Sequence, residues 1–178
     1  PEVFIPLTAD PGEVAEVGLD PALGRHERIV FTEDRFEIDR GIELFAGVEG
    51  ERLAPTGNRD LYTLRGGETV PDDFGHEQNL ILEEAGRTVL ITGCAHKGIV
   101  NILEHFYRIK GRMPDCVVGG LHLMDEEEGM LEELAAILRD TKALYYTCHC
   151  TGIEPFKTLK ASLGDSVCLI STGEVLKL

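Results

Sequence analysis

Apolar positions along this chain alternate between short unbroken runs and residues spaced for one helical face. The clearest instance is Thr88 to Lys110, TVLITGCAHKGIVNILEHFYRIK. Its Val89-Leu90-Ile91 run predicts a short strand buried on both faces. Ile99, Ile102, Leu103 and Phe106 follow at i, i+3, i+4 and i+7, which predicts a helix with a single apolar stripe. Cys116-Val117-Val118 repeats the strand signal, and Leu131, Leu134, Ala135 and Leu138 repeat the helical one. Ala143 to Thr147 is a third strand, and its helix carries Phe156, Leu159 and Leu163 with Gly164 placed to terminate it. Three strand–helix units in succession predict an α/β fold with a mixed or largely parallel sheet.

The flanking chain is less regular. Residues 1–26 are acidic, punctuated by Pro6, Pro11, Gly12, Gly18, Pro21 and Gly24, and are read as loop. Glu27 to Phe31, Phe36 to Ile38 and Ile42 to Ala46 are read as short strands, the last a half-buried antiparallel edge with its charges towards water. From Glu49 to Asp73, a stretch rich in Gly, Pro and charge predicts a long surface loop, with one weak strand at Leu61 to Leu64 and a share in a pocket wall. Asn79 to Glu83 and Thr88 to Ile91 predict a hairpin across Glu84-Ala85-Gly86-Arg87. Val167 to Ile170 and Glu174 to Leu178 predict two closing strands around Ser171-Thr172-Gly173. No linker divides the chain, so residues 1–178 are taken as one domain. Its loop-and-strand region runs to residue 70, and the hairpin and βα units occupy 71–178.

Bulk composition narrows the class. A chain of 178 residues suits one domain with a sizeable core, and 43% hydrophobic content is that of a soluble globular protein. No apolar run approaches the roughly 20 residues of a bilayer span, and PEVFIPLTADPGE has no signal-peptide pattern. Without an initiator methionine at its start, the chain is expected to be either processed or a fragment. A net charge of −15 argues against nucleic acid as the usual partner, for want of a basic stripe. A small anionic substrate would need a locally positive, metal-lined pocket. Five cysteines, an odd number, fit free thiols in a reducing cytoplasm better than a disulfide framework.

Each strand end delivers a histidine: His96 in TGCAH, His122 in GGLHL and His149 in CHCTG. Ligands of open α/β sheets bind beyond the carboxyl ends of the strands, so three imidazoles in register there point to a metal or phosphate site. One alone would be an ordinary loop residue. The helix after Gly98 disfavours an imidazolium at His96, which leaves a neutral ring able to bind metal, and its N-terminus could receive an anion. Cys94 is divided between packing and a ligand or outer role. Cys148 and Cys150 are read as buried small hydrophobes, with thiol redox chemistry at Cys148-His149-Cys150 as a weaker alternative. Asp72, Asp73 and Glu77 are read by default as a solvated acidic turn, and His26, His76 and His105 as surface residues.

The runs DDFGHEQNLIL, VLITGCAHKGIVNIL, VVGGLHL and YYTCHCTG, in that order over roughly residues 70 to 178, resemble the C-terminal part of the metallo-β-lactamase-fold hydrolases. Within that superfamily they are similar to the dihydropterin-ribofuranosylaminobenzene phosphate synthase-like branch. The resemblance implies an αβ/βα sandwich with two divalent metal ions, zinc or iron, at one edge of its sheets. It implies His96 and His149 as metal ligands and His122 close by against the substrate. It also raises Asp72, Asp73 and Glu77 as pocket groups or as support for the ligands, beside Cys94 with its open ligand or outer role. The implied activity is hydrolysis of a small phosphorylated or ester-like substrate by metal-bound hydroxide.

Two departures qualify this. The HxHxDH motif that supplies most of the family's ligands occurs nowhere in the chain, and Cys94 stands in the neighbourhood where many relatives place a bridging aspartate. The chain is therefore expected to be the C-terminal portion of such a sandwich, to hold metal weakly or not at all by itself, and to be inactive alone. A non-catalytic binding or scaffold fragment is the alternative. Loss of the N-terminal strands predicts a bared apolar face, and hence self-association or pairing with the missing half.

Overall fold

The computed structural model describes residues 3–6 and 14–176. Its strands are β1 (Val3–Pro6), β2 (Val14–Glu16), β3 (Arg35–Asp39), β4 (Ile42–Phe45), β5 (Tyr62–Arg65), β6 (Glu68–Pro71), β7 (Asn79–Glu84), β8 (Arg87–Ile91), β9 (Cys116–Gly119), β10 (Leu144–Thr147) and β11 (Val167–Leu169). Its helices are α1 (Ile99–Lys110), α2 (Glu128–Thr141) and α3 (Ile153–Leu163). They build a seven-stranded sheet in the order β11-β10-β9-β8-β7-β4-β3 and a small sheet in the order β2-β1-β5-β6.

The large sheet is mixed, as the sequence pattern predicts. β8 to β11 are parallel, and β9, β10 and β11 are each reached through one helical crossover. β7 and β8 form a hairpin whose two-residue turn, Ala85 and Gly86, has positive φ at both positions, the backbone hand that matches the twist of paired strands.

Alternation along the strands divides the sheet into two faces. One cross-strand row, Glu43–Ile81–Leu90–Val117–Tyr145–Val167, is buried throughout. Onto its apolar members pack Ile99, Ile102, Leu103 and Phe106 of α1, Leu131, Leu134 and Leu138 of α2, and Leu159 and Leu163 of α3. These are the stripes that the spacing predicts. Each large side chain buried there contributes about 1.5–3 kcal/mol, so the helix layer anchors the strand ends that carry the site.

On the other face the row Phe36–Leu44–Leu80–Ile91–Val118–Tyr146–Cys168 crosses all seven strands in register. Every member of it is half-buried or exposed. Among the described residues the helices pack on the opposite face, against the buried row.

Several local expectations are corrected. Glu27 to Phe31 is turn and coil; Ile29, Val30 and Phe31 are 45%, 66% and 80% exposed, with no layer to pack against. The stretch read as loop before residue 26 contributes β1, β2 and a 3-10 turn at Pro21–Arg25, while residues 1–2 and 7–13 lie outside the described residues. β6 is a polar strand inside the expected long loop, paired with β5. β4 is one strand in from the edge, and Glu43 points under α1 rather than towards water. Lys110 (3.0 Å) and Arg35 satisfy its carboxylate. Burial opposes that charge, but the two cations hold it below the usual carboxylate range. His105 is half-buried and stacked on Phe45, with ring centroids 5.2 Å apart. Residues 174–176 form no strand, and 177–178 lie outside the described residues. Among the described residues no helix is long and apolar enough to cross a membrane.

Candidate metal centre

The loops leaving β8, β9 and β10 converge at one end of the sheet. With residues 74–78 they line a cleft of about 620 Å3, onto which Glu77, Cys94, His96, His122, His149 and Cys150 all face. The convergence depends on Gly119-Gly120 at the end of β9. A Cβ at Gly119 would collide with Thr92, and one at Gly120 would collide with Cys150 Sγ and lie 3.2 Å from Gly93 O. The missing side chains are what let the neighbouring loops meet.

His96 is held on three sides. Asn58 Nδ2 donates to His96 O (2.6 Å), so the amide oxygen of Asn58 is turned to the ring and accepts from His96 Nδ1–H at 2.8 Å. That leaves Nε2 as the ring nitrogen for a further partner. Phe74 stacks on the imidazole with centroids 4.4 Å apart, and His122 abuts it at 4.2 Å. Glu77 fixes the turn itself, because Oε1 accepts from His96 N–H (2.7 Å) and Oε2 from Lys97 N–H (3.0 Å). Bonds from backbone N–H to a carboxylate are charge-assisted and stronger than neutral ones.

Backbone strain gathers at the same place. Phe74, Ala95, His122 and His149 have φ of +51°, +59°, +49° and +50°. Side-chain-bearing residues seldom adopt this region; it costs on the order of 1–3 kcal/mol each and persists where the surroundings enforce it, typically at functional sites.

Three donors lie close enough to share one cation. The ligating atoms of Cys94, His149 and Cys150 are all within 4.8 Å of one another. Two sulfurs and an imidazole nitrogen are a donor set suited to a thiophilic divalent ion. Cys150 is buried, Cys94 half-buried and His149 exposed, so the set opens towards the cleft. Cys150 donates to Cys94, and His96 adds a second hydrogen bond, which brings the Cys94 thiol down to about 4. The same shared bond, reinforced by burial, pushes the Cys150 thiol well up. Burial, followed by the neighbouring His96, lowers His122 and favours its neutral ring.

The structure thus assembles most of the residues that the sequence singles out, but not all. Asp73 lies outside this cleft: it pairs with Arg65 (2.9 Å) and accepts from Gly75 N–H, and these bonds lower its pKa. Asp72, expected in a solvated turn, is buried, and its carboxylate accepts from Phe74 N–H (2.8 Å). His76 is on the rim, 3.7 Å from Asp72. Cys148 is outside the donor set. Cys150 is buried as expected, and its sulfur also lies within 4.8 Å of the ligating atoms of Cys94 and His149. Asn58 is the residue that sequence reasoning missed. It lies in an unpatterned loop far from His96 in the chain, and no local signal marks it.

The chain shares the fold architecture of the metallo-β-lactamase superfamily, and a cluster of metal-type donors lies at the end of its sheet. Its structure superposes on Tm1679, a metal-dependent hydrolase of the β-lactamase superfamily, with a TM-score of 0.81 over 99% of this chain and 67% of that one, at 24% identity. In sequence it is 24% identical over 155 residues to the 7,8-dihydropterin-6-methyl-4-(beta-D-ribofuranosyl)-aminobenzene-5'-phosphate synthase of Methanocaldococcus jannaschii, covering 84% of this chain and 53% of that protein. An uncharacterized protein of the same organism is 27% identical over 130 residues, covering 71% and 46%. The chain spans about half the length of the curated relatives it matches. No family model matches it.

Proposed function

We propose that this chain carries one wall of a metal-dependent hydrolase site acting on a small phosphorylated or ester-like substrate. The observation that carries the proposal is the meeting of His96, His122, His149, Cys94 and Cys150 on one cleft at the carboxyl ends of parallel strands. His149 and Nε2 of His96 are the groups proposed to hold divalent cations. A bound cation supplies Lewis acidity and brings the pKa of coordinated water towards neutrality. Asn58 sets the His96 tautomer, Glu77 holds its turn, and Phe74 fixes the plane of the ring. His122, neutral and beside His96, is placed to hydrogen-bond the substrate. Likeness to the dihydropterin-ribofuranosylaminobenzene phosphate synthase supports a phosphorylated substrate.

The half-exposed row from Phe36 to Cys168 supports a further part of this proposal, that a second sheet or a second copy covers the open face. Five free thiols accord with a reducing compartment. A non-catalytic binding role is the second reading, favoured by the single three-donor cluster found among the described residues. The test is hydrolysis of chromogenic phosphoesters and carboxylic esters by the protein expressed from its complete coding sequence, with zinc, manganese or ferrous ion and after chelation. Turnover that chelator abolishes and His96→Ala or His149→Ala lowers by orders of magnitude is expected. Metal-saturated protein without turnover would leave the binding role.

A further inference from the structure

We propose that Cys94, His149 and Cys150 form a sulfur-rich cation site that this chain completes by itself, with two thiolates and one imidazole as ligands. The inference rests on the metal-dependent reading of the same cleft and assigns the donors that take a cation there. It revises the expectation that the chain alone binds metal weakly, which assumed that most ligands come from an HxHxDH segment.

Distance is the first argument. Tetrahedral zinc with Zn–S near 2.3 Å and Zn–N near 2.0 Å needs donor atoms about 3.5–3.8 Å apart. The three donors already lie within 4.8 Å of one another, so closure requires each separation to shorten by at most about 1.3 Å. Three protein donors also leave a fourth position, the pattern of catalytic rather than structural zinc. The exposed side of His149 gives that position access to the cleft.

Construction is the second argument. Cys94 and Cys150 come from loops after different strands, and β9 runs between those strands. They meet because Gly120 has no side chain to strike Cys150 Sγ. Cys150 Sγ reaches to within 3.6 Å of Cys94 O, which ties the two loops together. Ala95 and His149 both sit in the left-handed region without being glycine, so the backbone on either side of the donor set is held in a strained shape. A buried thiol serving only as a small hydrophobe needs none of this. His96 is not part of this set: its Nδ1–H is given to Asn58 and its ring packs against Phe74 and His122, while Nε2 is the group proposed above for a second cation.

The test is a cobalt(II) titration of the 178-residue chain, with zinc affinity measured by competition against a chromogenic chelator. The expected result is one equivalent of cobalt with a near-ultraviolet thiolate-to-cobalt charge-transfer band. Cys94→Ser and Cys150→Ser should each diminish that band and weaken zinc binding by more than about 100-fold, beyond the 10–100-fold typical of losing an outer partner. His96→Ala should keep the band. Cobalt bound without the band, or with a band that survives Cys94→Ser, overturns the sulfur assignment while leaving a metal-dependent site intact. No binding by either the chain or the protein from its complete coding sequence overturns both. Should buried Cys150 prove intolerant of substitution, the wild-type spectrum and half-exposed Cys94 still decide the matter.

Discussion

Replacing Glu77 with alanine removes the acceptor of two adjacent backbone N–H groups, at His96 and Lys97. Hydrogen bonds to a charged group contribute about 1.5–3 kcal/mol each. Glu77 is half-buried, so water can partly replace it and the lower end applies. Two bonds at about 1.5 kcal/mol give a loss of about 3 kcal/mol for Glu77→Ala. Glu77→Gln keeps one acceptor oxygen without charge assistance, and its loss should be about half of that. In a domain of this length 1 kcal/mol moves Tm by about 2–4 °C, which predicts a fall of about 6–12 °C for alanine and about 3–6 °C for glutamine. Calorimetry and urea unfolding with unchanged m-value measure both, and amide exchange reads the mechanism directly. The His96 and Lys97 amides should both exchange faster in the alanine variant, and chiefly one of them in the glutamine variant. A loss under about 1 kcal/mol for alanine, or glutamine as harmful as alanine, would refute the clamp.

Three further outcomes follow from the geometry. In Asn58→Ala the His96 ring loses the acceptor for Nδ1–H, and imidazole nitrogen NMR should change from one tautomer to a mixture; an unchanged spectrum would mean that Asn58 does not set it. Burial, then Arg108, lowers the pKa of His105. The unfolded chain therefore takes up the proton first, near pH 6.5, and stability declines as pH falls from there through the lower folded value. His105→Phe, which retains the stack on Phe45, should show a smaller decline between neutral and mildly acidic pH, and equal slopes would sink the argument. Sedimentation across a dilution series should show self-association through the open sheet face, reduced by Leu80→Lys; a monomer at all concentrations would mean that the face needs no cover.

The parallel half of the sheet was legible because strands buried on one face by helices, and half-buried on the other, read as short apolar runs, and their helices carry unbroken stripes such as Ile99 to Phe106. The antiparallel half was legible too, in β3, β4 and the hairpin of β7 and β8; the small sheet was less so. Its β6 is polar, and outside both sheets the apolar cluster at Ile29 to Phe31 mimics a strand without having a partner. The histidines could be seen because each follows a strand signal. The connections between loops could not be, since Asn58 meets His96 and Cys94 meets Cys150 only through the order of the sheet. Spacing along a chain carries periodicity well and carries such long-range encounters hardly at all. Left-handed backbone at His122 and His149 is likewise invisible in residue type, because neither is glycine.

The apolar row across the seven strands also has a colloidal consequence. The chain carries a net charge of −15 with an isoelectric point near 4.7, so two copies brought face to face repel one another while their sheets attract. Packed sheets lie about 10 Å apart, which is close to the Debye length at 0.1 M salt, about 10 Å. Across that gap the repulsion is felt in dilute buffer and largely screened at 1 M, where the length falls to about 3 Å. Ionic strength therefore sets how far the open face is free to find a partner, and acidification towards the isoelectric point acts in the same direction.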